Sequence, residues 1–301
     1  MNRIIKLIPI AAITLTAVSC GGDKKEKENK DAKQEVKIEK DTTSTTESPQ
    51  RVDFDEVFSD VPSPITMARI LKFLDAETDE SVFHNPDDAA NYTNEQKQAL
   101  NLGVFGVDLN YINVVGPKGK SIEYMAATLH LTEKLGMDAV IDETVAEKYK
   151  ANEDNTDSLI AIFNDTYYDI ETYLKSNNRE SIAAFMMAGG VVEALHLATS
   201  LPSDKEKMKQ VIADHKESVK SIVKLMEKVG DNDETHDIIT DLDKISSILD
   251  KAEATSINGK NSTEESGELM IGATSTTVIS DEIMEELKFT VSEIRAKYIS
   301  L

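Results

Sequence analysis

The chain has 301 residues and a formal net charge of −22, from 55 acidic and 33 basic side chains. This acidity argues against nucleic acid as a partner, because binding it depends on basic side chains that neutralise phosphates. A single cysteine, Cys20, excludes an intrachain disulfide.

The first twenty residues have the anatomy of an export signal. Arg3 and Lys6 precede the apolar run Leu7–Val18, and small residues stand before Cys20. The alternatives are an ordinary secretory signal cut elsewhere and an uncleaved helix. The apolar run has about a dozen residues, fewer than the roughly 20 that span a bilayer. No other stretch of the sequence is expected to span one.

The tetrapeptide Ala17-Val18-Ser19-Cys20 resembles the lipobox of bacterial lipoproteins. The resemblance implies removal of residues 1–19 and acylation of Cys20 on its sulfur and its amine. Two or more acyl chains hold a protein stably to a membrane. We therefore expect a lipoprotein of the cell envelope, anchored in the outer membrane at the periplasmic face or the cell surface.

Residues 20–50 are expected to form a disordered tether. Residues 21–50 contain seven lysines and eight acids with almost no apolar side chain, so they cannot bury enough surface to offset their ordering entropy. The stretch Asp23–Glu26 could direct export to the cell surface or could be a plain solvated spacer. Residues 51–301 carry 24 basic against 47 acidic side chains, an excess of 23 negative charges. This acidity is expected to keep the domain soluble, with basic partners and divalent cations as alternatives.

Residues 51–301 predict an all-α domain, a multi-helix bundle of antiparallel helix pairs with about nine helices. One domain and two lobes sharing a core both fit the short connections. A pairwise solenoid is the other topology, although no internal repeat supports it. A loop is expected at Glu253–Glu268 and a short extended piece within Glu268–Ile279. The predicted helices are Ile65–Ala76, a helix from a capping box at Thr93 to a stop at Gly116, Ser121–Leu135, Asp138–Lys150, Asn155–Lys175, Ile182–Ala198, Lys207–Val229, Thr235–Ala252 and Asp281–Ile299.

The segment Ile182–Ala198 predicts the central helix of the bundle. Its only polar side chains are Glu193 and His196, and a helix that is apolar on all sides is buried on all sides. Gly189 and Gly190 lie in its middle, where glycine costs about 1 kcal/mol each relative to alanine. We expect another helix backbone or a bulky ring to cross there. In a second predicted helix, Gly103 and Gly106 are expected to permit close packing.

Glu193 and His196 share one face of this helix, because they are three residues apart. Glu-x-x-His is the ligand spacing of di-metal carboxylate bundles, but no second copy is found at an inward position. We therefore predict no metal and no cofactor. The favoured interpretation is a structural hydrogen-bond network, since buried polar groups are hydrogen-bonded. Its candidate members besides Glu193 and His196 are Asp108, Tyr111, Tyr124 and Tyr167.

Other catalytic patterns are missing from the sequence. There is no Gly-x-Ser-x-Gly, and no cysteine remains for nucleophilic catalysis once Cys20 is acylated. Gly103 and Gly106 fall inside a helical stripe and not between a strand and a helix, so they do not predict a phosphate-binding loop. His215 lies on the apolar stripe of its helix and is expected to be a core residue. The prediction is that the chain is not an enzyme.

Several motifs between Phe105 and Ser200 together resemble an uncharacterised family of all-helical bacterial lipoproteins. That family pairs a Gly-x-Asp-Leu-x-Tyr helix with an Asn-x-Asp-Ser cap and a Gly-Gly-x-x-Glu helix. The resemblance covers about a third of the chain. It implies an all-helical fold and a protein anchored to a membrane, and it brings no assigned activity. The positions it highlights are Asp108, Tyr111, Asn155, Asp157, Gly189, Gly190 and Glu193.

Two functions from different classes fit the sequence. The favoured one is a non-enzymatic interaction module, held to the membrane by lipid on Cys20, whose acidic helical surface engages another protein. The alternative is a pocket centred on Glu193, Asp108 and Tyr111 that holds a small ligand or a metal. The first predicts that protein groups satisfy Glu193, and the second predicts a cavity open to solvent beside it.

Overall fold

Helices dominate the part of the chain that the structure describes. The computed structural model describes residues 64–73, 79–116, 119–141, 143–230, 232–256 and 275–301. The export signal, Cys20 and the tether over residues 20–50 lie outside these ranges, so their predictions are untested. The described α-helices are α1 Pro64–Phe73, α2 Glu95–Val114, α3 Ser121–Lys134, α4 Glu143–Ala151, α5 Thr156–Ser176, α6 Glu180–Ser200, α7 Lys205–Asp214, α8 Lys216–Val229, α9 Asp233–Leu249 and α10 Asp281–Ile299.

The all-α prediction is confirmed, with small additions. Two 3₁₀ segments, Glu80–Val82 and Pro86–Asn91, lie between α1 and α2. The strands β1 (Glu253–Ser256) and β2 (Ser275–Val278) pair antiparallel, with Glu253 opposite Val278. Strand β1 occupies the start of the predicted loop, and β2 falls within the predicted extended piece. The four-residue strands add little to a helical bundle.

Helix α6 is the central helix, as its sequence predicts. It contacts α1, α2, α5, α7, α8 and α10. Its most extensive partner is α2. The two run in the same direction, because Glu95 at the start of α2 pairs with Arg179 just before α6, and Asp108 further along α2 lies near Glu193. By length and composition α6 could cross a membrane, contrary to expectation, but 83% of its most apolar window is buried by other parts of the protein. Its apolar residues therefore form the protein core.

Glycines set the distance between α2 and α6. A Cβ on Gly189 would collide with the Leu100 carbonyl, and a Cβ on Gly103 would collide with the Met186 carbonyl. At these two positions only glycine lets the backbones touch. The expectation that a helix backbone crosses at Gly189 is confirmed.

Helix ends follow local capping chemistry. The Asn94 side chain accepts a hydrogen bond from the Lys97 backbone N–H, so Asn94 caps α2 and the predicted capping box at Thr93 is wrong by one residue. At the end of α3, Gly136 has φ +67°, and the next residue's N–H returns to the Thr132 carbonyl at 3.0 Å. These two features make a Schellman ending, which agrees with the glycine that follows the predicted helix Ser121–Leu135.

Three further predictions are corrected. The single helix predicted over Lys207–Val229 is two helices, broken at His215. The His215 backbone N–H bonds the Ile212 carbonyl, and its ring Nδ1 lies 2.6 Å from the Val211 carbonyl oxygen, so the side chain replaces the helical bond. The helix predicted from Asp138 begins only at Glu143, after a turn. The apolar stripe Ile122, Met125 and Leu129 predicts that Ile122 faces the core, but its side chain is 37% exposed.

The carboxyl end of α10 is tied back onto the start of α2. Lys97 Nζ donates to the carbonyl oxygens of Lys297 (2.6 Å) and Ser300 (3.0 Å). Asn101 and Tyr92 donate to the carbonyls of Tyr298 and Ile299. An ammonium group, a side-chain amide and a hydroxyl here satisfy carbonyls that have no partner within the helix. The chain end is thus held where α10 can reach α6.

Candidate functional site

The centre of the candidate site is a buried ion pair between α6 and α10. Arg295 Nε donates to Glu193 Oε2 at 2.5 Å, and its Nη2 donates to Oε1 at 2.9 Å. The Glu193 side chain is fully buried and that of Arg295 is 11% exposed. This two-bond geometry is the strongest way a guanidinium and a carboxylate can meet. Protein groups therefore satisfy both oxygens of Glu193.

Asp108 on α2 adds a second carboxyl to the pair. One of its oxygens, Oδ2, accepts the His84 backbone N–H at 3.0 Å, and its side chain is fully buried. Burial, and then the negative charge of Glu193, raise the pKa of Asp108 well above its usual value. Its other oxygen, Oδ1, is buried without a hydrogen-bond partner among the described residues, and a neutral, protonated carboxyl is less costly to bury there than a carboxylate. The three groups together then carry no net charge.

The segment between α1 and α2 covers this cluster. The Val82 carbonyl accepts a hydrogen bond from Arg295 Nη2 at 3.0 Å, and His196 Nε2 lies 3.2 Å from the same oxygen. Burial lowers the pKa of His196, so its ring is neutral at pH 7. His196 is thus directed at the covering backbone and makes no ion pair with Glu193.

His84 closes the cluster from the same segment. Its ring stacks on Phe105 at 4.8 Å, and Nε2 lies 2.7 Å from the Tyr92 hydroxyl. Because that hydroxyl donates its proton to the Ile299 carbonyl, His84 Nε2 is the donor to Tyr92. Burial, followed by the positive charge of Arg295, lowers the pKa of His84 to about 4. His84 is therefore neutral and packs against the cluster of Glu193, Arg295 and Asp108.

Aromatic rings fill the remaining space. Phe83 packs against Tyr111 at 5.7 Å and against Tyr124 at 6.2 Å between ring centres. Burial raises the pKa of Tyr111 to about 12 and raises that of Tyr124 further, so both phenols are neutral. These rings exclude water, which strengthens the electrostatic interactions beside them.

The structure brings Asp108, Glu193, Tyr111 and Tyr124 together, with His196 at the edge. Tyr167 lies elsewhere, stacked on Phe163. Sequence reasoning missed Arg295, His84 and the Val82 carbonyl. A signal for Arg295 existed: it stands beside Ile294 and four residues after Val291 on the apolar stripe of α10, and it is one of five arginines in the chain. A basic residue on such a stripe needs a buried partner.

The arrangement holds three elements together: α6 and α10 through the ion pair, and the segment before α2 through the Val82 carbonyl. Both oxygens of Glu193 already accept hydrogen bonds from Arg295, whereas a catalytic carboxylate must reach a substrate. Within the described ranges, no three His, Cys, Asp or Glu side chains are grouped so that they could hold a metal ion.

The raised pKa of Asp108 gives a prediction with a defined sign. We expect Asp108→Asn to be more stable than the parent at pH 7, because folding no longer requires a proton to be taken up. A carboxyl group whose pKa is raised in the folded state contributes fully to stability below its unfolded-state pKa of about 4. That contribution is lost as the pH rises to the folded-state pKa. The gain should therefore shrink as the pH falls to about 4. Urea unfolding of both proteins from pH 4 to 8 measures it.

Asp250→Asn is the control for this experiment. The Lys216 and Lys220 ammonium groups lower the pKa of Asp250, which is exposed, so its replacement should lose a little stability at pH 7. A loss of stability in Asp108→Asn that grows as the pH rises would show that Asp108 is ionised in the folded state.

No family model, curated protein or solved structure matches this chain. The resemblance to a family of helical lipoproteins therefore stays a prediction from its motifs.

Proposed function

We propose that this chain is a lipid-anchored, non-enzymatic helical interaction module of the bacterial cell envelope. Lipid on Cys20 holds it to the outer membrane, at the periplasmic face or the cell surface, and its helical body engages another protein. The observation that carries the non-enzymatic part of the proposal is the bidentate Glu193–Arg295 pair. The most polar site of the core is occupied by the chain's own groups.

The exposed acids at the start of α9 support a protein partner. Asp233, Glu234 and Asp237 are exposed there. A surface of one sign steers a partner of the opposite sign, so the partner would present a basic face. Such binding weakens as salt screens the charges.

Replacement of Cys20 tests the anchor. We expect the parent chain, expressed in a bacterium that processes lipoproteins, to sediment with membranes and to have an N-terminal acylated cysteine by mass spectrometry. Cys20→Ser removes the acylated sulfur and should leave the chain in the soluble fraction, because acyl chains supply the membrane affinity. Ser19→Ala keeps a small residue before the cysteine and should remain membrane-bound.

Two outcomes would contradict the proposal. One is a mature parent chain without acyl groups, and the other is a Cys20→Ser chain that stays in the membrane fraction. For the partner, chemical cross-linking in intact cells should yield a protein whose capture falls when the exposed acids of α9 are changed to their amides. Capture that is insensitive to both salt and these changes would exclude the acidic surface.

A further inference from the structure

A cavity separate from the Glu193 cluster lies among α2, α3, α5 and α6. Its volume is about 80 Å³. Of the described residues that line it, none is Asp, Glu, Lys or Arg. Most lining side chains are aliphatic, aromatic or methionine; they include Leu109, Met125, Phe163, Ile170, Met187 and Val191. A polar or charged ligand would find few partners there.

The threonines in the wall turn their hydroxyls away from the cavity. Thr128 Oγ1 donates to the Met125 carbonyl at 2.8 Å. Thr132 and Thr166 donate to the carbonyls four residues earlier in their own helices, also at 2.8 Å. The other polar side chains among the described lining residues are those of Tyr167 and His215. A buried water needs two to four polar partners, so the wall offers little to one.

Two glycines keep the cavity open although packing does not require them. A Cβ on Gly106 would meet only the Phe163 ring at 3.9 Å, and one on Gly190 would meet Gly103 and Val107 atoms at 3.7 Å, both ordinary contacts. Glycine lowers helix stability relative to alanine, so alanine would serve better at either position if only packing mattered. Both line the cavity. Gly103 also lines it, but Gly103 and Gly189 are explained by the backbone crossing of α2 and α6.

We propose that this cavity binds the end of an unbranched alkyl chain. An engineered apolar cavity that holds benzene measures about 150 Å³, roughly twice this volume, so an aromatic ring is too large and a narrow chain fits. Methionine side chains adapt to the irregular surface of such a chain. The polar head of the ligand stays at the mouth, because the wall has no charge to meet it.

Calorimetric titration with 1-hexanol tests the proposal on the full chain carrying Cys20→Ser, which cannot be acylated. We expect saturable binding with one site per chain. Gly106→Ala takes the space of about one methylene and should weaken binding about fourfold, since each buried methylene contributes about that factor. Thr166→Leu places a larger side chain in the wall and should weaken binding at least as much.

Tyr168→Leu is the matched control for Thr166→Leu. It lies on the same helix but is 65% exposed, so hexanol binding should change less than twofold. Absence of saturable binding in the parent, or equal binding in the parent, Gly106→Ala and Thr166→Leu, would overturn the proposal. Circular dichroism establishes that each variant is folded, and Gly106→Ala carries the test if Thr166→Leu is not.

The same titration identifies the source of the chain. If the lipid of Cys20 occupies the cavity, the acylated protein in phospholipid nanodiscs should bind no hexanol and Cys20→Ser should restore binding. If the occupant is a free alkyl compound, both proteins should bind hexanol equally. Either result supports an alkyl-binding cavity and assigns its occupant.

Discussion

Replacing Arg295 by methionine should lower the free energy of unfolding by about 4 kcal/mol. The substitution leaves the Glu193 carboxylate buried without its guanidinium, and removal of one partner from a buried ion pair costs 3–5 kcal/mol. Arg295→Lys should recover only part of the loss, because an ammonium cannot make the two parallel bonds of the fork. Urea unfolding followed by circular dichroism measures both variants.

Lys251→Met is the control for Arg295→Met. Lys251 pairs with Glu286 on α10, at 2.6 Å, but both side chains are about half exposed. Exposed pairs contribute about 0–1 kcal/mol, so this loss should be small. Similar losses for Lys251→Met and Arg295→Met would mean that burial adds nothing to the Glu193–Arg295 pair.

Gly189→Ala should destabilise the protein by about 3 kcal/mol. The added methyl group collides with the Leu100 carbonyl, a backbone atom that cannot move without shifting α2, and overpacking of a core costs about 1–3 kcal/mol or more. The expected signature is a lower urea midpoint with an unchanged slope.

The adjacent Gly190→Ala is the matched control. Its methyl group has room, and alanine favours the helix by about 1 kcal/mol, so this variant should be as stable as the parent or more so. Equal losses in Gly189→Ala and Gly190→Ala would contradict the backbone contact at Gly189.

The sequence was most informative where local chemistry decides the structure. Amphipathic periodicity and caps such as Asn155 and Gly136 placed the helices, because a cap acts within a few residues of itself. The central position of α6 followed from its apolar composition, and a crossing backbone at Gly189 followed from the cost of glycine there. The break at His215 was missed, since it depends on a ring that bonds its own helix.

The ion-pair partner of Glu193 could not be predicted from the residues near it in the sequence. Arg295 is 102 residues away and meets Glu193 only because α6 and α10 pack together. The requirement for a partner was nevertheless predictable, since an unpaired buried carboxylate is costly. The alkyl cavity was also not predictable from the sequence. A glycine within a helical stripe predicts close helix packing, whereas the structure shows open space beside Gly106.

The most direct test of a structural role for the Glu193 cluster is a double-mutant cycle with Glu193→Gln, Arg295→Met and both together. The free energy of unfolding of all four proteins gives the coupling between the two side chains. We predict a coupling of about 2–3 kcal/mol, with the double variant more stable than the sum of the single losses implies. A coupling near zero, with Glu193→Gln as stable as the parent, would contradict the account.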